Sequence, residues 1–233
     1  MGRLILLLPL LFACAPLGGE APLLPYPGGF AQGGLVTGRF QVALPGTPLL
    51  LDADGEALYA AYPFQLLVFR EGRLESLPLP GVPRFLRAAP RPVVGLGEGV
   101  WAEGEVLPYP ARDAALTGEG LLWVGAGGLY RDRDLLRPGA FRQVVAWGGG
   151  VVALGEEALF HPEGWRLPLP GAVRQAQASA CGVVALLEGG RVYLVGLEGA
   201  RPLAEAEAFA AWEEWVYLAP GPRTLSCREV AWP

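Results

Sequence analysis

Four arginines recur at a nearly constant interval. Arg84, Arg112, Arg142 and Arg174 are separated by 28, 30 and 32 residues. Each stands nine residues ahead of a short apolar run: Val93–Leu96, Leu121–Val124, Val151–Leu154 and Val183–Leu186. Guanidinium groups gathered at one height would grip a carboxylate or phosphate through paired, fork-shaped hydrogen bonds. The series therefore predicts a binding site for a small anion. A plainer reading competes with it. All 18 basic side chains are Arg and none is Lys, so any exposed position that favours a cation must carry Arg. Pro48 and Ala206 occupy the same offset ahead of two further runs and break the series.

Other chemistry is thinly provided. Ser76, Ser179 and Ser226 lie in no G-x-S-x-G elbow. His161 sits in a His-Pro-Glu-Gly phrase that reads as a surface turn. A zinc site needs three or four ligands at short spacing, and none is visible. Without Lys there is no phosphate-binding loop of the Gly-Lys-Ser/Thr type. Asp52-Ala53-Asp54-Gly55 begins like a calcium loop but lacks the later oxygen ligands and the terminal Glu, so it reads as a tight turn. Glu205, Glu207, Glu213 and Glu214 are the acids a hydrolase or lyase could use, yet no motif ties them together. No catalytic residue, metal or cofactor is expected, and the balance is against an enzyme. Cys181 and Cys227 could form a disulfide across the last two repeat units, with two buried free thiols as the alternative.

The N-terminus reads as an address. Met1-Gly2-Arg3 precedes the apolar run Leu4–Phe12, and Ala13-Cys14 follows. That is the layout of a secretory signal peptide, and the run is far shorter than the ~20 residues a membrane-spanning helix requires. Leu11-Phe12-Ala13-Cys14 resembles a bacterial lipobox, departing from it at Phe12, where smaller residues are usual. The resemblance implies cleavage before Cys14, lipidation of that cysteine, and attachment to the cell envelope, at the outer membrane or cell surface. Cys14 is then the link to the membrane. Residues 15–34 are rich in Pro and Gly with almost no charge, which suits a tether. The expected organisation is a signal peptide over 1–13, lipidated Cys and tether over 14–36, and one domain over 37–233.

The elements that must position the arginines repeat about every thirty residues. Each apolar run is followed by a second short strand and then by a third that ends on a Pro-bearing phrase, such as Leu77-Pro78-Leu79-Pro80-Gly81 or Leu167-Pro168-Leu169-Pro170-Gly171. Unbroken apolar runs suit strands buried on both faces, and Pro suits edges, where a missing N–H costs nothing. This predicts an all-β propeller of six short four-stranded blades, starting near Thr47, Val82, Ala111, Ala140, Ala172 and Glu205. Arg39–Gly46 resembles a fourth strand and is expected to close the ring against the last blade. A β-sandwich with coincidental spacing is the alternative. Residues 204–215 also suit a helix by propensity, so strand and helix both stay open there.

Composition narrows the partners. Gly (34) and Pro (23) exclude a helical protein, while 52% hydrophobic residues exclude a disordered one. A net charge of −5 argues against nucleic acid. Few Asn and Met give a thermophile-like composition. An anchored propeller resembles the BamB-like envelope lipoproteins and other WD-like repeat proteins in architecture alone, for no blade carries Gly-His or Trp-Asp. The resemblance implies a periplasmic or surface scaffold that binds a protein partner. Sialidases share an Arg cluster but carry Ser-x-Asp-x-Gly-x-x-Trp repeats, and gluconolactonase-like propellers hold calcium partly through Asn. This chain has neither.

Overall fold

The computed structural model describes residues 21–229 except 149 and 163. They form seven antiparallel sheets, and within each sheet the strands pair in chain order. The sheets are blades of a propeller. Blades 1 to 6 have four strands each and span Leu23–Ala43, Leu50–Pro78, Phe85–Leu107, Asp113–Pro138, Gln143–Pro168 and Val173–Glu205. Blade 7, Ala208–Ser226, has three described strands. The first strand of each blade faces a central channel and touches the first strands of its neighbours all the way round.

The apolar runs behave as their unbroken character demands. Ala57–Tyr62, Gly120–Val124, Gly150–Leu154 and Gly182–Leu187 are second strands, buried along nearly their whole length. Outer strands such as Arg73–Pro78 are exposed, with Pro at the end of the ladder. Apolar side chains from facing blades interdigitate in six separate clusters, one at each junction from blades 1–2 to blades 6–7.

The blade count corrects the expectation of six blades closed by an N-terminal strand. The six units read from the repeat are blades 2 to 7. Blade 1 is an additional sheet, built largely from residues expected to be tether. Its Pro and Gly do not loosen the chain; they fold it. Gly28, Gly33 and Gly34 have φ of 114°, 58° and 94° in the turns, a region open to glycine. Gly29 pairs with Gly38 so closely that a Cβ on Gly29 would lie 2.1 Å from the Thr37 carbonyl. Tyr26 is fully buried beneath this hairpin, its hydroxyl donating to Thr37 O and accepting from the Phe40 N–H. The expected closing strand is also reassigned. Val42–Ala43 pairs with Leu35–Val36 inside blade 1 and makes no ladder with blade 7. Residues 204–215 hold strands and a turn and no helix, ending blade 6 at Glu205 and opening blade 7 with Ala208–Trp212. Burial of Phe209 and Ala211 against blade 6 overrides helix propensity.

Candidate functional site

The first strands enclose a channel cavity of about 520 Å³. Buried and half-buried polar side chains girdle it, each reaching to the next blade, Arg87 to a carboxylate and the others to backbone. Asp52 accepts the Ala88 N–H (2.8 Å), joining blades 2 and 3. Arg87 donates to Asp113 (3.1 Å), joining blades 3 and 4. Asp113 accepts the Val144 N–H (2.8 Å), joining blades 4 and 5. Gln143 brackets Ala176, taking its N–H and donating to its carbonyl. Gln177 accepts the Ala211 N–H (2.9 Å), while Gln175 donates to Phe209 O. The channel wall is thus a belt of hydrogen bonds from blade 2 to blade 7.

Arg87 stands between two carboxylates, the one charged cluster in this belt. Asp113 is only 2% exposed, whereas Arg87 is 32% exposed. Burial pushes the Asp52 carboxyl up to about 6, with the Arg87 guanidinium and the N–H groups of Ala88 and Ala53 opposing the rise. Burial likewise raises Asp113, again against Arg87. Burial disfavours the Arg87 cation, but Asp113 and Asp52 outweigh it and hold the guanidinium charged. With both acids ionised the cluster carries a net negative charge. Arg87 Nε and Asp113 Oδ1 are buried without a hydrogen-bond partner, and among the described residues no group of three or more His, Cys, Asp or Glu could hold a metal ion.

The four arginines of the repeat stand at the entrances to first strands, as their spacing suggested. The N–H groups of Arg84, Arg112 and Arg142 donate to equivalent carbonyls on their second strands. Their side chains have different fates. Arg84 lines the cavity and lies over Gly97. Arg112 is exposed. Arg142 turns to Glu188 (3.2 Å) on blade 6 and Glu156 (3.9 Å). Arg174 lies where the register of blade 6 shifts and donates to Glu207 O. Of the acids, Glu213 lines the cavity and Glu214 pairs with Arg228. Asp54 caps its turn, accepting from the N–H groups of Glu56 and Ala57, apart from Asp52 in the channel. Cys181 and Cys227 are joined as a disulfide, which links blades 6 and 7. Cys14 lies outside the described residues.

The belt was missed in the sequence, although a signal existed. Asp113, Gln143 and Gln175 each follow directly on an arginine of the repeat. A polar residue recurring inside otherwise apolar inner strands needs a buried partner.

The two ends of the ring differ. One carries the entrances to first strands and the turns between second and third strands. Three exposed apolar residues lie at that end of blade 2: Leu49, Phe64 and Val82. Phe64 is 61% exposed and has a φ of 62°. It follows Pro63 in a turn where glycine is the usual occupant, and its N–H donates to Gly81 O.

No protein-family model matches the sequence, and neither does any curated protein. Solved structures do resemble the fold. The AfRom2 CNH domain superposes with a TM-score of 0.55 at 11% identity, covering 88% of this chain and 92% of its own. BBS1N, crystallised in complex with ARL6DN, gives 0.53 at 17% identity, covering 83% and 73%. PorZ is an essential bacterial surface component of the type-IX secretion system of Porphyromonas gingivalis. It gives 0.51 at 15% identity over 75% of this chain, which spans 32% of PorZ. At these identities the likeness establishes the β-propeller fold.

Proposed function

We propose that this protein is a lipid-anchored propeller of the cell envelope that acts as a protein-interaction scaffold, held to the membrane through Cys14. The observation that carries the reading is Phe64. A bulky side chain at positive φ is strained, and here the strained residue displays an aromatic ring to solvent beside Leu49 and Val82. Stability alone would favour glycine in that turn. A partner's apolar surface supplies a reason for phenylalanine, because aromatic residues dominate binding energy at interfaces. BBS1N, a protein of the same fold, is itself found in a complex.

The test is Phe64→Gly. It should stabilise the fold by about 1 kcal/mol and remove a partner captured from envelope extracts by the full-length protein. An unchanged capture profile would refute the scaffold reading. Cys14→Ser should release the protein from the membrane fraction, and retention would refute the anchor.

A second reading keeps the arginines as an anion site. Arg84 at the cavity supports it, with Arg112 exposed on the neighbouring blade. Replacing both with Gln should weaken binding of citrate or phosphate and flatten its salt dependence. Binding unchanged in the double variant would dismiss it.

A further inference from the structure

The innermost strand of each blade pairs on one side only. Its other edge carries N–H and C=O groups that need partners. On blade 7 these groups include Phe209 O and Ala211 N–H, two residues apart on one edge of Ala208–Trp212. Two side-chain amides from blade 6 cover them. Gln175 donates through Nε2 to Phe209 O, and Gln177 accepts through Oε1 from Ala211 N–H. A carbonyl only accepts and an N–H only donates, so the orientation of both amides is fixed.

That fixing leaves one end of each amide over. Gln175 keeps an oxygen that can accept, and Gln177 keeps a nitrogen that can donate. Neither atom is buried, and neither has a partner among the described residues. Both side chains are half-buried and line the channel cavity. The spare acceptor goes with the acceptor of the strand edge, and the spare donor with its donor. The wall between blades 6 and 7 therefore repeats the pattern of the edge beneath it, one amide further into the channel.

The facing wall sets the charge. The N–H groups of Arg84 and Glu207 make equivalent bonds to their second strands. Counted from these two residues, Arg87 is the third along its strand, and Phe209 and Ala211 are the second and fourth along theirs. Arg87 thus stands at the height of the two capped groups. In a ring of seven blades, blade 3 lies across from the junction of blades 6 and 7. Asp52 lines the same cavity, and with Asp113 it leaves the Arg87 cluster net negative.

We infer that the channel binds a short extended peptide of neutral or basic character, whose backbone N–H donates to Gln175 Oε1 and whose carbonyl accepts from Gln177 Nε2. Extended backbone is the complement of a strand edge. A cavity of about 520 Å³ is of ligand-binding size. Other ligand classes fit worse. A phosphate or an acidic peptide meets the negative cluster, and a purely apolar ligand strands both amide ends without water.

The test is calorimetric titration of the full-length protein with three N-acetylated, C-amidated tetrapeptides: Ala-Ala-Ala-Ala, Ala-Lys-Ala-Ala and Ala-Glu-Ala-Ala. The first two should bind with a Kd below about 5 mM, the lysine peptide most tightly and the glutamate peptide least. Gln177→Glu still accepts from Ala211 but has lost its donor. It should keep the melting curve and bind tetra-alanine about fivefold more weakly. Ala89→Trp crowds the exposed rim of the cavity without touching the belt, and should weaken the binding of every peptide. Phe64→Gly should leave peptide binding intact, so this inference and the scaffold reading can fail separately. The inference is overturned if neither tetra-alanine nor the lysine peptide binds at 5 mM, if Gln177→Glu and Ala89→Trp bind tetra-alanine as tightly as the wild type, or if the glutamate peptide binds best.

Discussion

Replacing Arg87 with Met tests whether the charged cluster holds the middle of the ring together. Met keeps an unbranched apolar stem and removes the guanidinium with its charge. Asp113 then remains 2% exposed with one N–H from Val144 and no cation. Breaking a buried ion pair from one side costs about 3–5 kcal/mol. Arg87 is 32% exposed to channel water, which screens part of that, so about 2–4 kcal/mol is expected at pH 7.5. The pH dependence follows from the acids. In the wild type the folded Asp52 carboxyl titrates at about 6 instead of 3.8. The folded state therefore binds this proton more tightly than the unfolded chain. Its unfavourable contribution is full above pH 6 and is relieved as pH falls toward 4, amounting to about 3 kcal/mol at most. Without Arg87 both acids titrate higher still, so the variant should regain more stability on acidification than the wild type. Urea unfolding at pH 7.5 and 5.5 reads both effects. Adding Asp113→Asn to Arg87→Met should recover more than half the loss, because the Asn side-chain oxygen still accepts from Val144. If Arg87→Met is as stable as the wild type at pH 7.5, or if its deficit does not shrink at pH 5.5, the cluster does not bear the load assigned to it.

Three further outcomes are expected. Replacing Cys181 and Cys227 with Ser opens a loop with a sequence separation of 46 and should cost about 4 kcal/mol by loop-entropy arithmetic, read as a fall in urea midpoint equal to that produced by reductant. Gly29→Ala drives a Cβ to within 2.1 Å of the Thr37 carbonyl. It should destabilise blade 1 by more than about 2 kcal/mol, seen as faster amide exchange at Ala31 and Val36 than in blades 4 and 5. The Arg39 guanidinium lies 4.1 Å above the Trp212 ring, so Arg39→Gln should cost about 1 kcal/mol in thermal unfolding.

Six blades were legible in the sequence because their second strands are apolar on both faces. Val93–Gly95 and Gly182–Leu187 could not be anything but sandwiched strands. Blade 1 escaped notice for a physical reason. Its second strand, Gly29–Gln32, has Phe30 as its single large apolar side chain in place of an unbroken apolar run, and tight glycine pairing holds it to the next strand. Low charge with frequent Pro and Gly describes a tether and a chain of tight hairpins equally well. The channel was legible in half. Spacing placed the arginines at strand entrances, but direction could not be read from it, and Arg142 turns to Glu188 on the next blade. Asp52 and Arg87 carry no local pattern, because their relation is made only when blades 2, 3 and 4 come together.

The junction between blades 7 and 1 is made differently from the rest. Phe30 meets Tyr217 edge-on at 5.7 Å, and Arg39 covers Trp212. Among the described residues it lacks an apolar cluster of the size that fills the other six junctions, although the first strand of blade 1 lies against the first two strands of blade 7. The ring is closed there by aromatic and cation–ring contacts in place of interdigitated aliphatic side chains. A pull on the chain ahead of Leu23 acts on the strand of blade 1 that abuts blade 7. Load applied there is taken first by this seam, and the Cys181–Cys227 bond carries it on from blade 7 into blade 6.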